Sequence, residues 1–242
     1  MRSLTVYKLF VLSIMFTLFA IVAHAQHSEA EYVKHGFKME KDEDLQSAKS
    51  DFSQAISLNP SKVDYYFYRA NIEFELKEYQ SAIIDFTKVL EIDSMYKDAY
   101  YNRGNAYFEV SDLSRALMDF DQYIYFYPSH AEAYYDRGNV KYNMGKYEEA
   151  INDFNKTISI LPNHYNAYYD RGNSYYRLKK FNEAITNYDK AINIHSDEYA
   201  FYFNKALAEF SLELDDAGCA DLQKAKSLGD PDVNVYIKEF CK

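Results

Sequence analysis

Small and aromatic residues recur along this chain at fixed distances. The phrase AYYDRGN stands at residues 133–139 and again at 167–173, with looser copies YYFYRAN at 65–71 and AYYNRGN at 99–105. Frames of 34 residues opening at Glu29, Val63, Lys97, Ala131, Tyr165 and Tyr199 bring the copies into register. The fourth position is then always tyrosine (Tyr32, Tyr66, Tyr100, Tyr134, Tyr168, Tyr202), and the eighth is always glycine or alanine, from Gly36 to Ala206. The twentieth is alanine in five frames and Gly218 in the sixth, and the twenty-fourth is Phe52, Phe86, Phe120, Phe154, Tyr188 or Leu222. Spacings of four, eight and eleven fall on one stripe of a helix, so each frame predicts two helices of about 14 residues. The turns between them fall at 77–79, 111–113 and 145–147 in the middle frames. Positions eight and twenty lie where the two helices cross, and the aromatics fill the space beside the crossing. A hairpin that is apolar on both faces needs a neighbour on each side, so the frames must stack.

This pattern resembles the tetratricopeptide repeat, and the resemblance covers residues 29 to about 230. The family carries an aromatic at four, Gly or Ala at eight, Ala at twenty and an aromatic at twenty-four. Its proline at thirty-two is matched by Pro60, Pro128 and Pro162. Two departures stand out: position seven is basic where the family has leucine, and the tyrosine at eleven is kept only at Tyr107 and Tyr175. The resemblance implies an all-α, right-handed solenoid of about six helix-turn-helix repeats. It also implies that the first helices line a concave groove and that the protein binds other proteins.

The two ends follow other rules. In SLGDPDVNVYIKEFCK, Gly229 can stop a helix, Asp230 can cap the next and Pro231 suits its first turn. This predicts a solenoid over 26–230 and a capping helix over 231–242. Cys219 and Cys241, the only two cysteines, lie across that junction. An even pair invites a disulfide in an oxidising compartment, and two buried thiols are the alternative. At the other end, Arg2 and Lys8 precede an apolar run from Leu9 to Ala23, and Ala23-His24-Ala25 follows. This reads as a signal peptide over 1–25, cleaved before Gln26, because fifteen apolar residues fall short of the ~20 that span a bilayer. The mature protein is then periplasmic or secreted, with no membrane insertion. Its basic and acidic residues number 25 and 37, a net charge of −12. That sign argues against nucleic acid and anionic lipid, which bind through Lys and Arg.

Position seven reads His35, Arg69, Arg103, Arg137, Arg171 and Lys205, and sixteen residues later stand Asp51, Asp85, Asp119, Asp153, Asn187 and Asp221. In an antiparallel hairpin these face each other. We therefore expect structural ion pairs Arg69–Asp85, Arg103–Asp119 and Arg137–Asp153, with a ligand clamp as the alternative. No phosphate-cradling glycine loop, GxSxG elbow or histidine pair at ligand spacing occurs, so no catalytic residue, metal or cofactor is expected. His130 and His164 read as solvated turn residues. Asp136 and Asp170, beside tyrosines, leave a carbohydrate-active enzyme as a third reading.

Positions two, five, nine and thirteen point away from the packing stripe, toward the groove, with twelve at its edge. Position nine is Asn71, Asn105, Asn139 and Asn173 in successive frames. Position five is Phe67, Tyr101, Tyr135, Tyr169 and Phe203, and position twelve is Phe74, Phe108, Tyr142, Tyr176 and Phe210. A row of amides can bond an extended backbone of any sequence, and flanking rings add apolar area. The row is similar to that of peptide-binding members of the family, with aromatics replacing their carboxylate-clamp lysines at position five. Asp64, Asp98, Glu132, Glu75 and Glu109 on the same side favour a neutral or basic segment. In the competing readings the rings merely pack neighbouring helices and the asparagines bond one another, or the protein is a scaffold that docks into an envelope or secreted complex through its convex face or ends.

Overall fold

Thirteen helices and no strands make up residues 28–241, which the computed structural model describes; the leader expected at 1–25 lies outside them. The helices pair as α1 (Glu29–Lys41) with α2 (Leu45–Leu58), α3 (Val63–Glu75) with α4 (Tyr79–Ile92), and α5 (Lys97–Glu109) with α6 (Leu113–Phe126). They continue as α7 (Ala131–Asn143) with α8 (Tyr147–Ile160), α9 (Tyr165–Arg177) with α10 (Phe181–Ile194), α11 (Tyr199–Phe210) with α12 (Asp215–Ser227), and a last helix, α13 (Val233–Phe240). Ser28 opens α1 with a capping box in which its hydroxyl accepts from the Glu31 N–H, and Asp44 and Asp112 cap α2 and α6.

Every hairpin turns at position fifteen. Glu43, Lys77, Ser111, Lys179 and Glu213 adopt φ near +60° there, and Gly145 adopts +76°. At Lys77 the chain closes α3 with bonds from the Lys77 N–H to the Phe74 carbonyl at 2.9 Å and from the Glu78 N–H to the Glu73 carbonyl at 2.8 Å. This is a left-handed C-terminal cap, which glycine fits freely and other residues adopt at about 1 kcal/mol. Only one frame carries the glycine that would have announced it.

The chain divides after Tyr96 into two compact units. In the first, Phe52 and Ala48 are fully buried against Ile72, and Phe86 is fully buried as well. In the second, Phe120, Phe154, Tyr188 and Leu222 are buried in the same way. The two helices of a hairpin come close enough that a Cβ on Gly138 would lie 2.7 Å from the Phe154 ring, and one on Gly172 would lie 2.7 Å from Tyr188. Within this unit α5 touches α7, α7 touches α9 and α9 touches α11, each the first helix of the next repeat, whereas extensive contacts of α6, α8 and α10 run only to first helices. The first helices therefore line its inner side.

Charge joins the repeats as well. The Arg69 guanidinium donates to both Asp85 oxygens at 2.6 and 2.9 Å, Arg103 to Asp119 at 2.7 and 2.8 Å, and Arg137 to Asp153 at 2.9 and 2.6 Å. The third edge of the fork reaches the preceding repeat: Arg69 to the Ser53 hydroxyl at 3.1 Å, Arg137 to Asp121 at 2.7 Å and Arg171 to the Asn155 carbonyl at 2.6 Å. Arg171 meets the neutral Asn187 instead of a carboxylate, and burial lowers its pKa, whereas the aspartates beside Arg69 and Arg137 raise theirs.

At the C-terminal end the Asp230 carboxylate accepts from the Asp232 and Val233 N–H groups. The last helix therefore starts at Val233, two residues beyond Pro231. Val233 is fully buried with Tyr202, Ala206, Leu222 and Ala225, and Cys219 and Cys241 are joined with an S–S distance of 2.03 Å.

Candidate functional site

The inner face of the second unit repeats one set of contacts. Tyr101, Tyr135 and Tyr169 lay their rings against position twenty-four of their own hairpin, with centroids 5.8 Å from Phe120, 5.9 Å from Phe154 and 5.8 Å from Tyr188. Rings at the start of the next first helix pack on the same tyrosines, His130 at 5.6 Å, His164 at 4.7 Å and Phe201 at 4.7 Å. A phenol held in such a seam needs a partner for its hydroxyl. Tyr101 donates to Asp136 at 2.6 Å and Tyr135 to Asp170 at 2.7 Å, each at position six of the following repeat. Tyr169 instead accepts from the Asn204 amide at 2.7 Å. The asparagine one turn further along each helix, Asn105, Asn139 or Asn173, acts on the same hydroxyl and pulls its pKa down against the burial. The face is thus a chain of phenols, amides and carboxylates that crosses from helix to helix.

Burial is the main electrostatic effect on it. Burial, joined by the nearby Glu132 charge, pushes the Asp136 carboxyl up to about 6 against the pull of the Tyr101 hydroxyl, and Asp170 is raised for the same first reason. Tyr169 is pushed up to about 12 by burial, and burial beside a carboxylate raises Tyr101 and Tyr135 further.

The two histidines are not solvated turn residues. Each is half-buried at the N-terminus of a first helix, with Nδ1 accepting from the Ala133 N–H at 3.2 Å or the Ala167 N–H at 3.1 Å. An oxygen-bearing cap usually does this work, and imidazole nitrogen does it here because its ring also covers the neighbouring tyrosine. With Nδ1 accepting, Nε2 carries the hydrogen, and on His164 it faces Glu132 at 3.1 Å. Among the described residues no group of three or more His, Cys, Asp or Glu could hold a metal ion.

The remaining candidate residues are mostly anchored. In the first unit Phe67 packs on Phe86 and Tyr96, Phe74 on Tyr79, and Asn71 is half-buried. In the second, Tyr142 packs on Tyr147 at 5.3 Å, Tyr176 on Phe181 at 5.4 Å and Phe203 on Tyr236 at 4.8 Å, while Phe108 is half-buried. Ring faces are therefore largely spent on packing, and the inner face offers mainly ring edges, amides and carboxylates. Near its C-terminal end a cavity of about 220 Å³ opens between α7, α9 and α11, walled by Tyr142, Tyr176, Tyr188 and Leu207.

The models of the tetratricopeptide repeat match residues 131–164, 165–198 and 98–130, and a TPR repeat model matches 70–111. Among solved structures the chain is similar to a MamA protein, at 26% identity and TM-score 0.67 over 69% of this chain and 92% of that one. It is also similar to YrrB, described as a TPR protein with an unusual peptide-binding site, at 22% identity and TM-score 0.65 over 74% and 92%. PilF of Pseudomonas aeruginosa matches at 18% identity and TM-score 0.70 over 87% and 97%. No curated protein sequence matches the chain.

Proposed function

We propose, from the premise that this chain belongs to the tetratricopeptide repeat family, that it holds an extended protein segment against the inner face of Lys97–Lys242. Members of the family are generally non-enzymatic interaction modules, and the likeness in fold to a peptide-binding relative supports the same reading. The observation that carries it is the recurrence of one polar set at the same level of successive first helices. A segment laid across α5, α7 and α9 meets Asn105, Asn139 and Asn173 in turn. An amide has four hydrogen-bonding positions, and Asn105 and Asn139, half-buried beside their tyrosines, keep capacity for a ligand backbone. Asp98, Glu109 and Glu132 are on the same helices, so the segment is neutral or basic.

One observation favours a second reading. Met118 and Tyr125 on the second helix α6 are 66% and 79% exposed, large apolar side chains on the side away from the groove. A scaffold that docks through that side would cover them. Export through the leader at 1–25 belongs to either reading. An intact mass beginning at Gln26 is expected, and a mature chain that keeps residues 1–25 overturns it.

To separate the two readings, the protein is screened against a library of immobilised extended peptides, and the best binder is titrated. Asn105→Ala with Asn139→Ala is expected to weaken it about thirtyfold, two hydrogen bonds at about 1 kcal/mol each, with little change in Tm. Unchanged affinity in the double variant removes the groove reading and leaves the scaffold.

A further inference from the structure

The cavity between α7, α9 and α11 lies where the asparagine row stops, because position nine of the last frame is Leu207. Its polar wall is already fixed from behind. The Asn173 carbonyl accepts from the Tyr188 hydroxyl at 2.9 Å and from the Asn204 amide at 3.0 Å, while its own amide donates to Asp170 at 3.1 Å. Asn204 spends its second N–H on the Tyr169 hydroxyl at 2.7 Å, so the group it has left to present is a carbonyl oxygen. Leu207 and the rings of Tyr142 and Tyr176 supply the apolar walls. Arg177 stands at the rim, drawn to the Tyr142 hydroxyl and lying 5.1 Å over the Tyr147 ring.

We infer that this cavity is a specificity pocket for one tryptophan or tyrosine side chain of the bound segment. The inference rests on the groove reading. About 220 Å³ holds a single large side chain. Ring walls favour a flat, apolar guest through edge and offset contacts. The Asn204 oxygen in the lining favours a ring that carries a donor, since an indole N–H or phenol O–H can satisfy it and phenylalanine or leucine cannot. At the mouth, the guanidinium can lie over the guest ring or donate to the ligand's backbone carbonyl. The pocket would thus fix the register of a segment whose backbone the asparagines hold without regard to sequence.

The protein contains no tryptophan, so the probe N-acetyl-tryptophanamide can be followed by its own fluorescence. Saturable binding in the millimolar range is expected. The 1-methylindole analogue, which lacks the donor, is expected to bind about tenfold more weakly. N-acetyl-leucinamide and N-acetyl-aspartamide are expected to compete poorly. Leu207→Phe, which fills the cavity, is expected to abolish probe binding while Tm holds. The methylated and aliphatic probes test the pocket on the unaltered protein should that variant fail to fold. Equal binding of the methylated probe, tighter binding of the aspartate probe, or full binding to a folded Leu207→Phe protein overturns the inference. The Asn105 and Asn139 variants leave this pocket intact, so loss of peptide capture in them with no probe binding to the unaltered protein rejects the pocket alone. Probe binding with full capture in them rejects the groove alone.

Discussion

Arg103→Leu is expected to lower the stability of the protein by about 3–5 kcal/mol, or roughly 10 °C in Tm. Asp119 is 4% exposed and takes both of its short bonds from Arg103. Burial already raises its pKa, and the guanidinium is what holds it back. Leucine at 103 would leave that carboxylate buried without a cation. Arg137→Leu is expected to cost less, because the Lys141 ammonium stays 2.7 Å from Asp153. Arg171→Leu is expected to cost least, because the group it abandons is a neutral amide. The order 103, 137, 171 distinguishes an electrostatic cause from simple loss of packing, since all three arginines lie over a tyrosine ring in the same way. Leucine at both 103 and 119 is expected to recover much of the loss, as removal of a whole buried pair is far milder than removal of one partner. Thermal melts of the four proteins decide it; equal losses in the three single variants count against the charge argument.

That ladder could be read from the chain because both of its members recur, sixteen residues apart, inside one hairpin. The same holds for the glycine or alanine at position eight and the ring at twenty-four, whose contact distances leave no room for another side chain at Gly138. Contacts between hairpins were harder to read. The Tyr101–Asp136 and Tyr135–Asp170 bonds span 35 residues, one more than the period, and position six varies among Tyr68, Asn102, Asp136, Asp170 and Asn204. A tyrosine at five in three frames, each followed by an Asp or Asn at six of the next frame, is the available signal, and taken frame by frame it reads only as groove lining and a pair of acids. The third arm of each arginine was missed for the same reason, since Ser53, Asp121 and Asn155 belong to the preceding repeat. His130 and His164 gave no cap signal because imidazole is not among the common capping groups. The left-handed turn at position fifteen was hidden because a long polar side chain or serine stands there in five of six frames.

Asp136→Asn is expected to stabilise the protein at pH 8 by about 3 kcal/mol and to flatten its response to acid. The carboxyl is pushed up to about 6, above the usual 3.8, chiefly by burial. At pH 5 the folded protein therefore keeps a proton that the unfolded chain has released. The resulting stability is fully present below about pH 4 and is lost as pH rises through 6. Glu73 and Glu209, both buried and both pushed up to about 7, act in the same direction and carry the loss toward pH 8. The unaltered protein is thus expected to melt at a higher temperature at pH 5.5 than at pH 8, the reverse of ordinary acid denaturation. Asparagine at 136 keeps an oxygen for the Tyr101 hydroxyl but carries no charge to bury, and the chain already uses an amide at the equivalent Asn204, which bonds Tyr169. The variant should therefore gain most at pH 8 and nothing at pH 4, with the two melting curves converging as Asp136 becomes protonated in the original protein. Melting temperatures of both proteins from pH 4 to 8 test this. A constant difference at every pH would mean that the substitution acts through packing, and a loss at pH 8 would mean that the Asp136 charge supports the tyrosine chain more than its burial costs.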